Sequence, residues 1–325
     1  MRKTGWLILC AMIFLHDADR AEALSCTANM GSPVTFSGLD ILSGAPVNAA
    51  STLSVTCTVS TLDGLVGALL TVSICPDIGE GTGGATGGVR QLALNPTDKL
   101  LYNIYQDSNR QVPWGHADIP ALGTVPVMTM TVTVPLLGTA SNTVTRDVYF
   151  KLNGSQQTAP TGTYSSNFTG AHTRIRAGIG LLSVCSGLFS ATTTAPFLVQ
   201  ATIDKNCTVT TQGVNFGNVG LLNSNIDAEG RVRVTCTKST GYSVGLGVGA
   251  LTPTTRQMKK GTDIVVYGLY RDLARTQGWG DTTGLMPTGS GTGLTESYPV
   301  YGRVGPQANP PVGTYNDLVP VVITY

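Results

Sequence analysis

The sequence is short of charge, of aromatic rings and above all of histidine. Its 325 residues hold 20 Lys and Arg against 19 Asp and Glu, for a net charge of +1, with aromatics at 6%. No basic stripe marks a nucleic-acid binder, so none is expected as a partner. Of the 3 histidines only His116 and His172 lie outside the N-terminal segment, and no C-x-x-C pair occurs. A zinc cluster is therefore not expected, nor any cofactor. No Ser, His and Asp set recommends itself for nucleophilic catalysis, and both histidines read as surface loop residues. The glycine runs at 79–88 and 289–293 lack the lysine and the strand-loop-helix setting of a phosphate cradle, so they read as connections. No amphipathic helix of useful length appears. Beyond the N-terminus no apolar run approaches the ~20 residues that span a bilayer.

What is present begins with an export signal. Arg2 and Lys3 precede an apolar run from Trp6 to Leu15, and Ala21-Glu22-Ala23 supplies a small-x-small cleavage pattern. Residues 1–23 are expected to be removed, taking Cys10 with them and leaving Leu24-Ser25-Cys26 at the start. Six cysteines remain, an even number that suits an oxidising compartment. The chain is also written twice. Arg90-Gln91, Tyr102, Tyr105, Asp107, Arg110, Trp114-Gly115, Tyr149, Pro160 and Gly162-Thr163-Tyr164 recur in order as Arg256-Gln257, Tyr267, Tyr270, Asp272, Arg275, Trp279-Gly280, Tyr301, Pro311 and Gly313-Thr314-Tyr315. A period above 100 residues is a domain duplication, since solenoid repeats are shorter. Repeat symmetry suggests Cys26 with Cys57 and Cys207 with Cys236, leaving Cys75 and Cys185 for each other, although sequence alone leaves the pairing open.

Valine and threonine alternate at period two in Thr52–Thr58, Met128–Val134, Val144–Leu152, Arg231–Thr237, Asp263–Leu269 and Leu318–Tyr325. This pattern predicts half-buried strands and an all-β chain of two tandem sandwiches. Ser190–Pro196 reads as the linker, giving a first domain over 24–190 and a second over 191–325. The recurring Tyr, Asp, Arg and Trp set is read as structural, the Asp and Arg pairing across a turn, because a sugar site would not be expected in both copies.

In the second copy, Cys207-Thr-Val, Val214-Asn-Phe216-Gly217, Val234-Thr-Cys236, Arg256-Gln-Met258, Trp279-Gly280, Val300-Tyr301-Gly302-Arg303 and Gly313-Thr-Tyr315 with Val321–Tyr325 resemble the spore coat protein U domain. That family contains the pilins of archaic, Csu-type chaperone-usher pili. The first copy is a divergent member, with Tyr149-Phe150-Lys151 where the family shows Tyr-Gly-Arg. The resemblance implies immunoglobulin-like sandwiches, the second lacking its last strand. It also implies a periplasmic pilus chaperone, an outer-membrane usher and an adjacent subunit donating an N-terminal strand as partners. Strand addition to an open edge is the physics involved. Export through the inner membrane, transient residence in the periplasm and an extracellular end at the pilus tip follow from it.

With only Leu24 and Ser25 ahead of Cys26, the mature chain is expected to accept a strand and not to give one, which is the position of a tip adhesin in surface attachment and biofilm formation. The alternative is a non-tip structural subunit of a secreted fibre or coat. Ile179–Cys185 is expected to close the first sandwich, stapled to Cys75. The first copy is longer in two intervals, 33 positions against 20 between its second cysteine and Arg-Gln, and 35 against 22 between Trp and the later Tyr. These hold apolar residues where Gly and Pro imply loops: Leu62, Leu65 and Val66, then Leu122 and Val125, then Leu136 and Leu137. At least one such loop is expected to be exposed and to stick to an abiotic or host surface.

Overall fold

A computed structural model describes residues 24–61, 66–182, 184–187 and 189–325. The predicted export signal and two of the loop leucines, Leu62 and Leu65, lie outside these residues. Among the described residues no helix is long and apolar enough to cross a membrane.

The first sandwich is built from β1 (Leu24–Met30), β2 (Val34–Phe36), β3 (Val47–Ser60), β4 (Leu69–Pro76), β5 (Ala85–Thr86), β6 (Val89–Ala93), β7 (Lys99–Tyr105), β8 (Met128–Thr133), β9 (Thr139–Leu152), β10 (Gly162–Phe168), β11 (Arg174–Ile179), β12 (Ala191–Thr194) and β13 (Phe197–Ile203). One sheet runs β1-β3-β9-β7-β6-β10-β13-β2, and a four-stranded sheet β12-β11-β4-β8 covers it. The period-two sequence pattern sets the faces. In β3, Leu53, Val55, Cys57 and Val59 are buried in the core, while Thr56 and Thr58 turn outward and bond Thr143 and Ser141 of β9 at 2.8 and 2.7 Å.

The second sandwich comprises β14 (Cys207–Gln212), β15 (Ile226–Cys236), β16 (Gly241–Leu246), β17 (Arg256–Lys260), β18 (Asp263–Tyr270), β19 (Thr288–Ser290), β20 (Thr295–Val304) and β21 (Val321–Thr324). Its sheets are β14-β15-β20-β18-β17 and β19-β16-β21. Disulfides join Cys26 to Cys57, Cys75 to Cys185 and Cys207 to Cys236.

Two boundary expectations are corrected. The segment read as a linker holds β12, which pairs with β11 from Thr194 against Arg174 to Ala191 against Ala177. The strand that closes the first sandwich is β13, not Ile179–Cys185. It lies antiparallel to β10 and parallel to β2, and its Phe197, Val199, Ala201 and Ile203 join the first core. Phe197 stacks on Phe168 at 4.4 Å and meets Phe150 edge-on at 6.2 Å. Burial of alternate apolar side chains holds residues 191–203 to the first core although the sequence sets them beside the second. Cys185 sits in the loop after β11, not in a strand.

Candidate functional site

The repeated residues are a shared frame. Arg90 is fully buried and gives its guanidinium to the carbonyls of Ile78, Gly79 and Trp114 and to Asn103. Burial pulls its pKa down to about 10, so it stays charged at neutral pH. Arg256 does the same for the carbonyls of Leu246, Gly247 and Trp279. Trp114 Nε1 donates to the Pro76 carbonyl at 2.8 Å and Trp279 Nε1 to that of Val244 at 2.9 Å. Tyr164 and Tyr315 each bond back to the proline carbonyl four residues earlier, at 2.8 and 2.7 Å.

The expected Asp and Arg pairing is not formed. Asp107 accepts the backbone N–H groups of Gln111 and Val112, while Arg110 reaches the Phe150 carbonyl at 3.1 Å. Asp272 and Arg275 repeat both contacts at Thr276, Gln277 and Gly302. Backbone N–H groups around a turn satisfy a carboxylate at shorter reach than a guanidinium that is already anchored on a neighbouring strand.

Against this frame the copies differ at one slot. In the first, β13 fills the space between β2 and β10. In the second, the counterparts of those strands are Val214–Phe216 and Tyr315–Asp317, and among the described residues no strand lies between them. A cleft of about 300 Å³ opens there, lined by Val214, Phe216, Val232, Tyr267, Val300 and Val319 among others. Phe216 meets Tyr267 edge-on at 6.0 Å, as Phe36 meets Tyr102 at 6.1 Å in the closed copy. Gly302 stands where the first copy has Phe150, the ring that Phe197 meets edge-on, and the side chains of Val214 and Phe216 pack directly against it. The edge of Asn316 is bonded to Lys259 of β17 on one side only, at 2.8 and 3.2 Å.

The proposed loop residues separate. Leu136 and Leu137 are 72% and 85% exposed at the β8–β9 turn, and Val66 is exposed beside them. Thr61 N–H to the Gly138 carbonyl at 3.2 Å and Gly67 N–H to the Val134 carbonyl at 3.0 Å tie these two loops together. Leu122 is a correction: it is 1% exposed, because the 3-10 turn Pro120–Leu122 folds it inward. Val125 is half-buried. Exposed Leu69, Leu181 and Val184 were not among the sequence candidates. Leu181 follows β11, whose Ile179 pairs with Val72, and so joins the same end of the molecule, whereas Val184 lies beside the Cys75–Cys185 bridge near Pro126. Their apolar run was read as a closing strand, which hid them.

That end is remote from the second sandwich. The paired β3 and β9 run from Val47 opposite Leu152 to Ser60 opposite Thr139, a length of roughly 45 Å at ~3.3 Å per residue. The apolar loops cap the Ser60 end. The other end leads through Pro160 to the junction, where Thr161 N–H bonds the Lys238 carbonyl at 3.2 Å.

His116, expected on the surface, is also a correction: it is 5% exposed, since Nε2 bonds the Ala171 carbonyl at 2.9 Å and Nδ1 takes the Asp118 N–H at 3.1 Å. Gly241-Tyr-Ser-Val-Gly245 has the spacing of a nucleophile elbow. It runs inside β16, paired to β19 and β21, and not at the strand-to-helix turn that chemistry needs. Among the described residues no group of three metal-ligating side chains gathers.

The Spore Coat Protein U domain model matches residues 13–171 and again 193–322. The chain belongs to the Spore Coat Protein U domain family. Protein U of Myxococcus xanthus is 32% identical over 155 residues, which is 42% of this chain and 87% of that protein. Among solved structures, a chain of the chaperone–tip adhesion subunit pre-assembly complex from archaic chaperone-usher Csu pili of Acinetobacter baumannii aligns at a TM-score of 0.54 and 16% identity. It covers 92% of this chain and all of that one. That likeness is one of fold. Both copies of this Spore Coat Protein U domain chain thus share a scaffold, and their differences lie at the cleft and at the far apolar end.

Proposed function

We propose that the protein is a two-domain tip adhesin of an archaic chaperone-usher pilus, its second sandwich taking a donor strand and its first attaching to surfaces. The observation that carries the reading is the slot that β13 fills in the first sandwich and that stands open in the second. An unfilled groove with an unpaired edge is an aggregation hazard unless another chain supplies the strand. A periplasmic chaperone followed by an adjacent subunit would supply it, with backbone hydrogen bonds giving affinity and alternate side chains giving register.

Residues just after the expected cleavage point are already committed to the first fold. Leu24 is buried in β1 opposite Val59. The surface-binding element is the far apolar end, carried by Val66, Leu69, Leu136, Leu137 and Leu181. Each fully desolvated leucine or valine gains roughly 1.5–3 kcal/mol against an apolar surface, and many tips on one cell add avidity.

Two measurements test the reading together. Immunogold against the first sandwich on pili should label fibre ends, and attachment to plastic should fall when the loop leucines are replaced. Label along the whole fibre would instead support a structural subunit.

A further inference from the structure

The two sandwiches place different side chains against the same tryptophan. In the second, Tyr298 meets Trp279 edge-on at 6.4 Å, and its hydroxyl is engaged by Tyr242 and Glu296. The equivalent position in the first is Arg146, whose guanidinium lies over Trp114, 5.6 Å from the ring centroid. Its Nε is buried without a hydrogen-bond partner. Among the described residues no carboxylate comes within ion-pair distance of it. A stacked guanidinium keeps its donors at its edge, and the terminal amino groups of Arg146, unlike its buried Nε, are the donors a ligand could reach.

Arg146 lines an open pocket of about 740 Å³ with Gln106, Thr124, Val125 and Cys185. Part of the wall belongs to the first copy alone. Thr124 and Val125 lie in its longer interval after Trp114. His116 also borders the cavity, but both ring nitrogens are already used, so it adds no donor. No acidic side chain lines the space. The pocket therefore offers one guanidinium fork among polar side chains and Val125, Pro120 and Pro126.

We propose that this cavity binds a small organic carboxylate, held edge-on by Arg146. A planar monoanion matches one guanidinium, whereas a phosphate dianion ordinarily calls for further cations or a nest of backbone N–H groups. The site does not depend on the cleft of the second sandwich or on the apolar loops.

The test uses the full mature chain and saturation-transfer NMR titrations with galacturonate, N-acetylglycine, galactose and inorganic phosphate. Galacturonate should bind saturably at millimolar concentration and galactose should not. Binding of N-acetylglycine as well would assign any small carboxylate, and its failure would narrow the class to acidic sugars. Arg146→Tyr, which installs the residue the second copy already packs on its tryptophan, should weaken binding at least about tenfold. Ser186→Trp, at the exposed mouth, should block it with Arg146 intact and serves if the first variant folds poorly. Equal affinity in wild type and both variants, no saturable carboxylate binding, or phosphate bound more tightly than galacturonate would each overturn the assignment.

Discussion

Tyr267 donates a 2.6 Å hydrogen bond to Asp317 across the wall of the open cleft. The pair joins β18 to the segment that corresponds to β10, so the cleft is braced at its base although its edge is unfilled. Burial, then the Asp317 bond, raises the Tyr267 hydroxyl well above the ordinary tyrosine range.

The braced but unfilled cleft predicts that the second sandwich needs a strand. Residues 204–325 expressed alone should aggregate or be degraded, and a peptide alternating apolar residues in the manner of Phe197, Val199, Ala201 and Ile203 should rescue a monomer. Size-exclusion chromatography with and without peptide decides this. A cooperative thermal transition in the peptide-free fragment would show that the cleft is not a vacancy the fold feels.

Within the first sandwich the same slot is filled from inside the chain. Phe197→Ala should cost about 3–5 kcal/mol, because it removes a ring packed on two others. Thr202→Ala, on the outward face, should stay within about 0.5 kcal/mol. Denaturant titration of full-length variants measures both, and equal effects would contradict the closing role of β13.

Leu136→Ser with Leu137→Ser should weaken attachment to plastic while pilus number is unchanged, with a smaller loss for Val66→Ser. Raised salt should leave attachment intact, as apolar contact is not screened. Undiminished attachment after all exposed apolar loop residues are changed would place adhesion elsewhere.

Replacing both Cys75 and Cys185 by Ser should lower stability by about 2–4 kcal/mol, since the bridge closes a long loop. Proteolysis under native conditions should then cut between residues 180 and 190. If the cut pattern is the same in wild type, the bridge does not hold that segment.

Alkali should unfold the chain earlier than disulfide chemistry alone would explain. Burial raises Tyr102, Tyr242 and Tyr267. A pKa raised in the folded state gives stability that is complete below the unfolded value, about 10, and is lost as pH climbs past it. The share of tyrosinate absorbance contributed by these three should therefore appear together with loss of structure above pH ~10, and not before it. A tyrosine titration completed while the fold persists would contradict the buried environment.

The duplication was legible because Arg, Trp and Tyr hold positions that other residues cannot fill. Arg90 needs a guanidinium to serve three carbonyls. The closing strand was not legible. Phe197–Ile203 alternates like any strand, and its affiliation is set by which groove is vacant beside it. Leu122 and Leu136 illustrate the same limit in loops: both lie in Gly- and Pro-bounded apolar segments, and only the 3-10 turn at Pro120 separates a core residue from an exposed one.

Three residues, Asp204, Lys205 and Asn206, connect β13 to β14. Tension drawn along a fibre through the second sandwich would thus arrive at the end of β13 almost directly. That strand is held along its length by β10 on one side and β2 on the other, so the pull would load its backbone bonds together in shear instead of parting them one at a time. The link between the two bodies would then resist force as firmly as a sheet does.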